Sequence, residues 1–301
     1  MSKKFIITGA SGFVGKALTK WLLKNGNFVY AVVRDASKMK DLLNYQELKI
    51  IEISMKEYKN LFQYINVPAD VLFHLAWNGY KTSADDPNIQ FENVTYSIEL
   101  LQSAAKIGVK KFIFTGTSHE FLKKSIDGQI RLCSVYGAAK SSFKQIGRIL
   151  SQKYDMKFNS TIFSNVFGDG DYSKRSAYII IKKFLDNEKP YIINSNMLYD
   201  WTYIDDALRG LIKVSESNYS CKDYYIGSNE LRVFKDIIND VKLALSSNTE
   251  ISFDGRDNQY EYIDYDMIDL KLLNRDTGFT ASSNFIESVK KTAEWIKKNN
   301  I

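Results

Sequence analysis

Short apolar runs alternate with longer stretches of helical periodicity through the first half of the chain. Phe5–Ile7 is an apolar run that ends in Thr8. Gly9, Gly12 and Gly15 follow at three-residue spacing, and in Lys16–Lys24 the residues Ala17, Leu18, Trp21 and Leu22 share one side. The pattern predicts a buried strand, a tight glycine turn and a helix. Phe28–Val33, Leu48–Ile53, Ala69–Ala76 and Lys110–Thr115 read as four more strands. The Ala69–Ala76 run is nearly all apolar, as a parallel strand covered on both faces must be. Tyr58–Ile65 reads as helical, and so does Asn88–Ile107, with Ile89, Val94, Ile98, Leu101 and Ala105 at helical spacing. Strand and helix alternate throughout, which predicts an α/β fold with a doubly wound parallel sheet.

Sheets of this Rossmann type bind ligands at the carboxyl ends of their strands. Four candidate stretches fall at such ends: Gly9–Gly15, Arg34, His74–Gly79 and Thr117–Glu120. Glycine in the first turn removes the Cβ that would hold a phosphate away from the backbone, and the start of the following helix favours a pyrophosphate. The spacing Gly-x-x-Gly-x-x-Gly differs from the Gly-x-Gly-x-x-Gly dinucleotide fingerprint, so its position after a first strand carries the reading. Ser11, Phe13 and Val14 belong to the same turn. At the end of the second strand an acid selects NAD and an Arg accepts the 2′-phosphate of NADP. Here Val33 takes the acidic place and Arg34 follows, which favours NADP(H), with Lys38 a weaker phosphate partner. Asp35 keeps NAD(H) open. His74 is expected to be a core histidine bonded to backbone.

Composition narrows the classes. The chain of 301 residues has room for one large domain or a domain with a lobe, and its net charge of +6 is compatible with anionic small molecules. No apolar run approaches the roughly 18 residues that cross a bilayer. Met1-Ser-Lys-Lys leads only into a short strand, so no secretory signal is expected. Cys133 and Cys221 match no metal-ligand spacing, which points to a reduced, cytoplasmic protein with no metal. Aromatic and basic residues do not interleave as in a single-strand groove, so neither nucleic acid nor membrane is expected as a partner.

Tyr136-Gly-Ala-Ala-Lys140 adds chemistry. Residues four apart share a helix face. A free phenol has a pKa of about 10, and a neighbouring ammonium stabilises the phenolate. The tyrosine could then exchange a proton with an alcohol or carbonyl oxygen.

With these residues the chain resembles the extended short-chain dehydrogenase/reductases, in particular the nucleotide-sugar epimerase, dehydratase and reductase group. The matching stretches are Thr8–Gly15, His74-Leu-Ala76, Asn93, Thr117, Tyr136-x-x-x-Lys140, Asn165-Val-Phe-Gly168 and Asp200–Asp206. The resemblance implies Tyr136 as acid/base and Lys140 on the nicotinamide ribose. It implies Thr117 on the reacting oxygen, with Ser118 and His119 beside it. It implies a cofactor seat from Gly9, Ser11, Gly12, Phe13, Val14, Gly15, Leu75, Ala76, Trp77 and Asn93. For a nucleotide sugar it suggests Asn78, Gly79, Asn165 and Tyr199; Arg175, Lys174 and Arg232 are diphosphate candidates because a guanidinium matches phosphate geometry, although each is more often a surface charge. It also implies a cofactor domain of residues 1–168 plus 199–221, a sugar-nucleotide lobe of 169–198 plus 222–301, and a homodimer through helices 88–107 and 136–153.

Departures from the group select among its reactions. The 4,6-dehydratases place Asp-Glu directly after the reactive threonine, where this chain has Ser118 and His119. The galactose-type 4-epimerases place an acid where this chain has Val33. Tyr199 stands where an Arg is common. His119 aligns with a cysteine that some members use as an acid/base, although a merely polar role in the pocket is favoured here. The leading expectation is therefore NADPH-dependent reduction of a nucleotide-linked 4-keto-6-deoxyhexose, in deoxysugar or surface-polysaccharide biosynthesis. A nucleotide-sugar 4-epimerase retaining NAD is the alternative. A non-catalytic NADPH-sensing regulator is the third reading, and the presence of both Tyr136 and Lys140 weighs against it.

Overall fold

The computed structural model describes residues 2–79, 82–121, 123–124, 130–131, 134–173, 175–254 and 263–299. Cys133 and Lys174 lie outside the described residues. The chain divides into two units. The first comprises Met1–Phe121, Leu132–Ile162 and Leu211–Tyr224, and the second comprises Leu122–Arg131, Phe163–Gly210 and Tyr225–Ile301.

The first unit is organised by β1 (Lys4–Thr8), β2 (Phe28–Val33), β3 (Leu48–Glu52), β4 (Val71–His74) and β5 (Lys111–Thr115). With the strands Lys157–Phe163 and Asp223–Ile226 these make a seven-stranded sheet. Its order runs Asp223–Ile226, Lys157–Phe163, β5, β4, β1, β2, β3. β1 pairs in parallel with both β2 and β4, and the chain reverses its direction of travel across the sheet between them. A crevice outside the strand ends at such a reversal is where doubly wound sheets bind ligands. The sheet therefore has the Rossmann-type order expected from the alternation of strands and helices.

Three helices matter for the site. α1 (Phe13–Lys24) follows the glycine turn. α2 (Pro87–Ile107) is opened by Asp86, whose carboxylate accepts the N–H groups of Asn88 and Ile89 at 3.0 and 3.3 Å. α3 (Val135–Lys153) is opened by Ser134, whose Oγ accepts the Gly137 N–H at 3.1 Å. Such caps satisfy backbone donors that have no partner within the helix. The stretch expected to be helical over Tyr58–Ile65 is a 3₁₀ helix over Met55–Gln63. Its buried residues Met55, Tyr58 and Leu61 recur every third position. Three residues per turn stacks all three in one line on the core side.

Phe112, Phe114, Phe143 and Phe158 are each fully buried in the core between sheet and helices. Phe114 meets Phe143 edge-on at 4.8 Å and Phe112 stacks on Phe158 at 5.7 Å. Each buried aromatic of this size contributes about 1.5–3 kcal/mol relative to exposure. The core thus fixes β5 against α3, the two elements that carry the candidate reactive groups.

The second unit uses short strand pairs. Asn165–Phe167 runs parallel to Trp201–Tyr203, and Leu198–Tyr199 runs antiparallel to Arg232–Val233. The helices Ser176–Leu185 and Phe234–Ala244 pack with the C-terminal helix Phe285–Lys298. Asp200 is buried here and accepts hydrogen bonds from the Tyr225 hydroxyl at 2.9 Å and from the Ser228 N–H at 3.0 Å. Burial raises its carboxyl above the usual range against these bonds.

Candidate active site

The turn after β1 is shaped by two glycines. Gly9 has φ +70°, and a Cβ there would stand 2.9 Å from the Ala76 nitrogen. At Gly15 a Cβ would stand 2.2 Å from the Gly9 carbonyl oxygen, so only glycine lets α1 press onto the turn. Gly12 is the N-cap of α1, contributes no side chain to the first-turn N–H groups, and no acid lies in that turn. That leaves the seat open to an anion of pyrophosphate type, and the residues fit a dinucleotide.

At the end of β2 the Arg34 side chain is exposed, and its Nη1 donates to Asn78 Oδ1 at 3.2 Å. Asp35 turns to its own backbone: Oδ1 accepts the Ser37 N–H at 2.9 Å and the Ser37 hydroxyl at 2.5 Å. These bonds hold the Asp35 carboxyl below its ordinary pKa. The acid caps the 3₁₀ turn Ala36–Leu42, on which Lys38 lies exposed.

His74 is a core residue as expected, but its partners are side chains and not backbone. Nδ1 lies 2.7 Å from Thr8 Oγ1 and Nε2 lies 2.8 Å from Ser97 Oγ. The Ser97 hydroxyl donates to the Asn93 carbonyl at 2.7 Å, so the proton on this side belongs to Nε2. Thr8 then donates to Nδ1. Burial lowers the His74 pKa to about 3, with the nearby Lys140 charge acting in the same direction. The Asn93 side chain is committed to Asn78, accepting its N–H and donating to its carbonyl, each at 3.0 Å. Asn93 therefore acts on the Leu75–Gly79 stretch through the Asn78 backbone.

The reactive cluster forms where α3 meets the end of β5. Lys140 is 4 % exposed and donates to the Thr115 carbonyl at 2.5 Å. Its Nζ stands 4.8 Å from the Trp77 ring centroid and 5.4 Å from that of Tyr136. Trp77 is held by its Nε1–H, which donates to Gln90 at 2.8 Å. Thr117 starts the 3₁₀ turn Ser118–Glu120, and its Oγ1 accepts the His119 N–H at 3.2 Å. The His119 ring meets the Tyr136 ring edge-on at 6.0 Å. A phenol, an ammonium and a hydroxyl are thus gathered beside an aromatic wall. That set can move one proton to or from a substrate oxygen and stabilise the charge left behind. A cavity of about 320 Å³ borders the turn and is lined by His119, Phe121, Ser134 and Gln145. Tyr136 and Lys140 are both buried and do not line it.

The remaining candidates lie in the second unit. The Asn165 side chain donates to the Asp200 carbonyl at 3.3 Å. Arg175 is the N-cap residue of the helix Ser176–Leu185. Tyr199 stacks on Phe234 at 4.3 Å, and Arg232 pairs with Asp240. Sequence reasoning did not single out Glu120, Lys144, Ser97 or Gln90. Lys144 repeats the four-residue step from Tyr136 to Lys140, and Ser97 lies four residues after Asn93, so helical spacing was a usable signal for both.

Taken together, a parallel sheet with a glycine turn at its reversal point and a Thr–Tyr–Lys cluster defines a dinucleotide-dependent short-chain oxidoreductase architecture. The model of the NAD dependent epimerase/dehydratase family matches residues 5–227, and the chain belongs to that family. It is 31% identical over 212 residues to dTDP-6-deoxy-L-talose 4-dehydrogenase (NAD(+)) of Aggregatibacter actinomycetemcomitans, covering 67% of this chain and 76% of that protein. It is 24% identical over 329 residues to UDP-glucuronate 4-epimerase of Thermodesulfobacterium geofontis, covering 98% and 96%. Among solved structures, UDP-glucose 4-epimerase of Thermotoga maritima with UDP-glucose superposes with a TM-score of 0.80 at 22% identity. That match covers 99% of this chain and all of the other.

Proposed function

We propose that this protein reduces the 4-keto group of a nucleotide-linked 6-deoxyhexose with NADPH. The observation that carries the reading is the fate of the turn's one carboxylate. Glu120 is turned inward, its side chain 2% exposed, where it accepts the Thr117 N–H and pairs with Lys144. Water elimination from a hexose needs an acid and a base at the sugar, and Ser118 and His119 supply no carboxylate. A single oxidation or reduction needs only the Thr117–Tyr136–Lys140 set. The relative named as a 4-dehydrogenase of a deoxysugar catalyses by its name the reverse of such a reduction.

The pyrophosphate would rest on the start of α1, with Arg34 and Lys38 for the 2′-phosphate and Lys140 for the nicotinamide ribose. When bound, the reduced nicotinamide supplies the hydride to C4. Tyr136 gives its proton to the oxygen at C4, and the Thr117 hydroxyl donates to the same oxygen. The Thr117 oxygen already accepts from His119, which leaves its proton to be donated. Lys140 stabilises the phenolate until solvent returns the proton. Arg34 supports NADPH over NADH because its guanidinium is exposed, whereas the Asp35 carboxylate is engaged by Ser37.

Incubation with dTDP-4-keto-6-deoxyglucose and NADPH tests this. Nicotinamide absorbance should fall in step with appearance of a 6-deoxyhexose. No loss of NADPH, together with interconversion of UDP-glucose and UDP-galactose, would establish the epimerase reading instead. The end-to-end similarity to a 4-epimerase is what keeps that second reading in view.

A further inference from the structure

α3 holds the segment Thr115–Glu120 at successive turns. Gly137 lies so close to the His119 carbonyl that a Cβ would stand 2.1 Å from its oxygen. One turn on, Lys140 donates to the Thr115 carbonyl. One turn further, Lys144 Nζ stands 2.5 Å from Glu120 Oε2. Tyr136, Lys140 and Lys144 are each four residues apart, so they share one face of the helix.

Glu120 is the unexpected member. It completes a capping box, its Oε1 accepting the Thr117 N–H at 2.8 Å. Capping boxes ordinarily sit at the surface, where water solvates the carboxylate. This side chain is 2% exposed and its lysine partner 7%. Gly116 leaves the carboxylate its space: a Cβ there would stand 2.4 Å from Glu120 Oε1. Behind the pair, Lys144 is 3.4 Å from Asp223, and Asp223 pairs with Arg148 at 2.7 Å. Burying an ion pair seldom stabilises a fold more than apolar residues of the same volume would. What such a pair can supply is a fixed relative position, and this one links α3 to the turn that carries Thr117.

We infer that Glu120 and Lys144 are positioning residues that hold Thr117 in register with Tyr136, so that one helix face sets both hydroxyls of the reaction. The inference rests on the reading of Thr117 and Tyr136 as the pair that meets the substrate oxygen. In Glu120→Gln the acceptor for the Thr117 N–H is kept and the ion pair is lost.

The test is a double-mutant cycle with dTDP-4-keto-6-deoxyglucose and NADPH, combined with amide hydrogen exchange over residues 117–121. Glu120→Gln should lower kcat about tenfold, leave the NADPH Kd within about twofold, and raise exchange in that segment. In a Thr117→Ala background the same change should cost less than about twofold more, because its effect passes through Thr117. The charge-free pair Glu120→Gln with Lys144→Met should perform no worse than either single change, and it serves if a single variant fails to fold. Wild-type kcat in both single variants, or the full loss repeated in the Thr117→Ala background, would overturn the inference. Should the wild type not reduce this nucleotide sugar, the substrate reading falls on its own. The exchange comparison then still decides: unchanged protection of residues 117–121 in Glu120→Gln overturns positioning, and raised exchange supports it.

Discussion

Arg34 and Asp35 are neighbours with opposite commitments, and cofactor choice follows from that difference. Arg34→Ala should weaken NADPH binding about tenfold while leaving NADH within about twofold, because only the former carries a 2′-phosphate. Titration with both nucleotides decides it, and equal losses would remove Arg34 from the phosphate role. Tyr136→Phe should lower kcat by roughly 10²–10⁴-fold with the NADPH Kd unchanged, since the ring is kept and only the proton donor is lost. His74 gives a pH prediction. Its pKa is about 3 in the fold against an ordinary value near 6.5, so the unfolded chain binds more protons between those values. Stability should be indifferent to His74 above about pH 6.5 and should fall as pH drops from there toward 3. Denaturant midpoints across that range should be flatter in His74→Gln, and an equally steep profile would assign the acid sensitivity to other groups.

At the scale of elements, Gly137 joins the start of α3 to the Thr117 turn. Gly137→Ala should cost about 1–3 kcal/mol and lower turnover, because the new methyl meets a backbone oxygen that cannot rotate away. Melting temperature and kcat measured together check this; a wild-type value of both would mean that the turn gives way freely. The strands β1–β5 and the helix after the glycines were legible because apolar runs and glycine spacing are local signals. The stretch Met55–Gln63 was legible as helical but its 3₁₀ period was not, because Tyr58 and Leu61 suit either helical period. The Thr117, Tyr136 and Lys140 positions were visible as motif residues. Glu120 was not, because a capping glutamate looks the same in sequence whether it faces water or a lysine in the core. The partners of His74 were hidden for a related reason: Thr8 and Ser97 reach it from two other elements, 66 and 23 residues away.

For the whole molecule, bound cofactor should act as a stabiliser by mass action. NADPH at a hundred times its Kd contributes about 2.7 kcal/mol if it binds only the folded chain. A thermal scan should show the rise for NADPH and a smaller one for NADH at equal concentration; equal shifts would favour the NAD reading. No helix among the described residues is long and apolar enough to cross a membrane.

One buried residue has a bearing on how the chain is made. Lys111 begins β5, and its ammonium is received by the carbonyls of Val214, Ser215 and Ser217, which close the helix Ile204–Glu216. Those acceptors lie 103 to 106 residues further along the chain. During synthesis a central strand therefore emerges long before the groups that receive its charge exist. Until residue 217 has been made, only water can receive the Lys111 ammonium, over an interval of synthesis equal to about a third of the 301-residue chain.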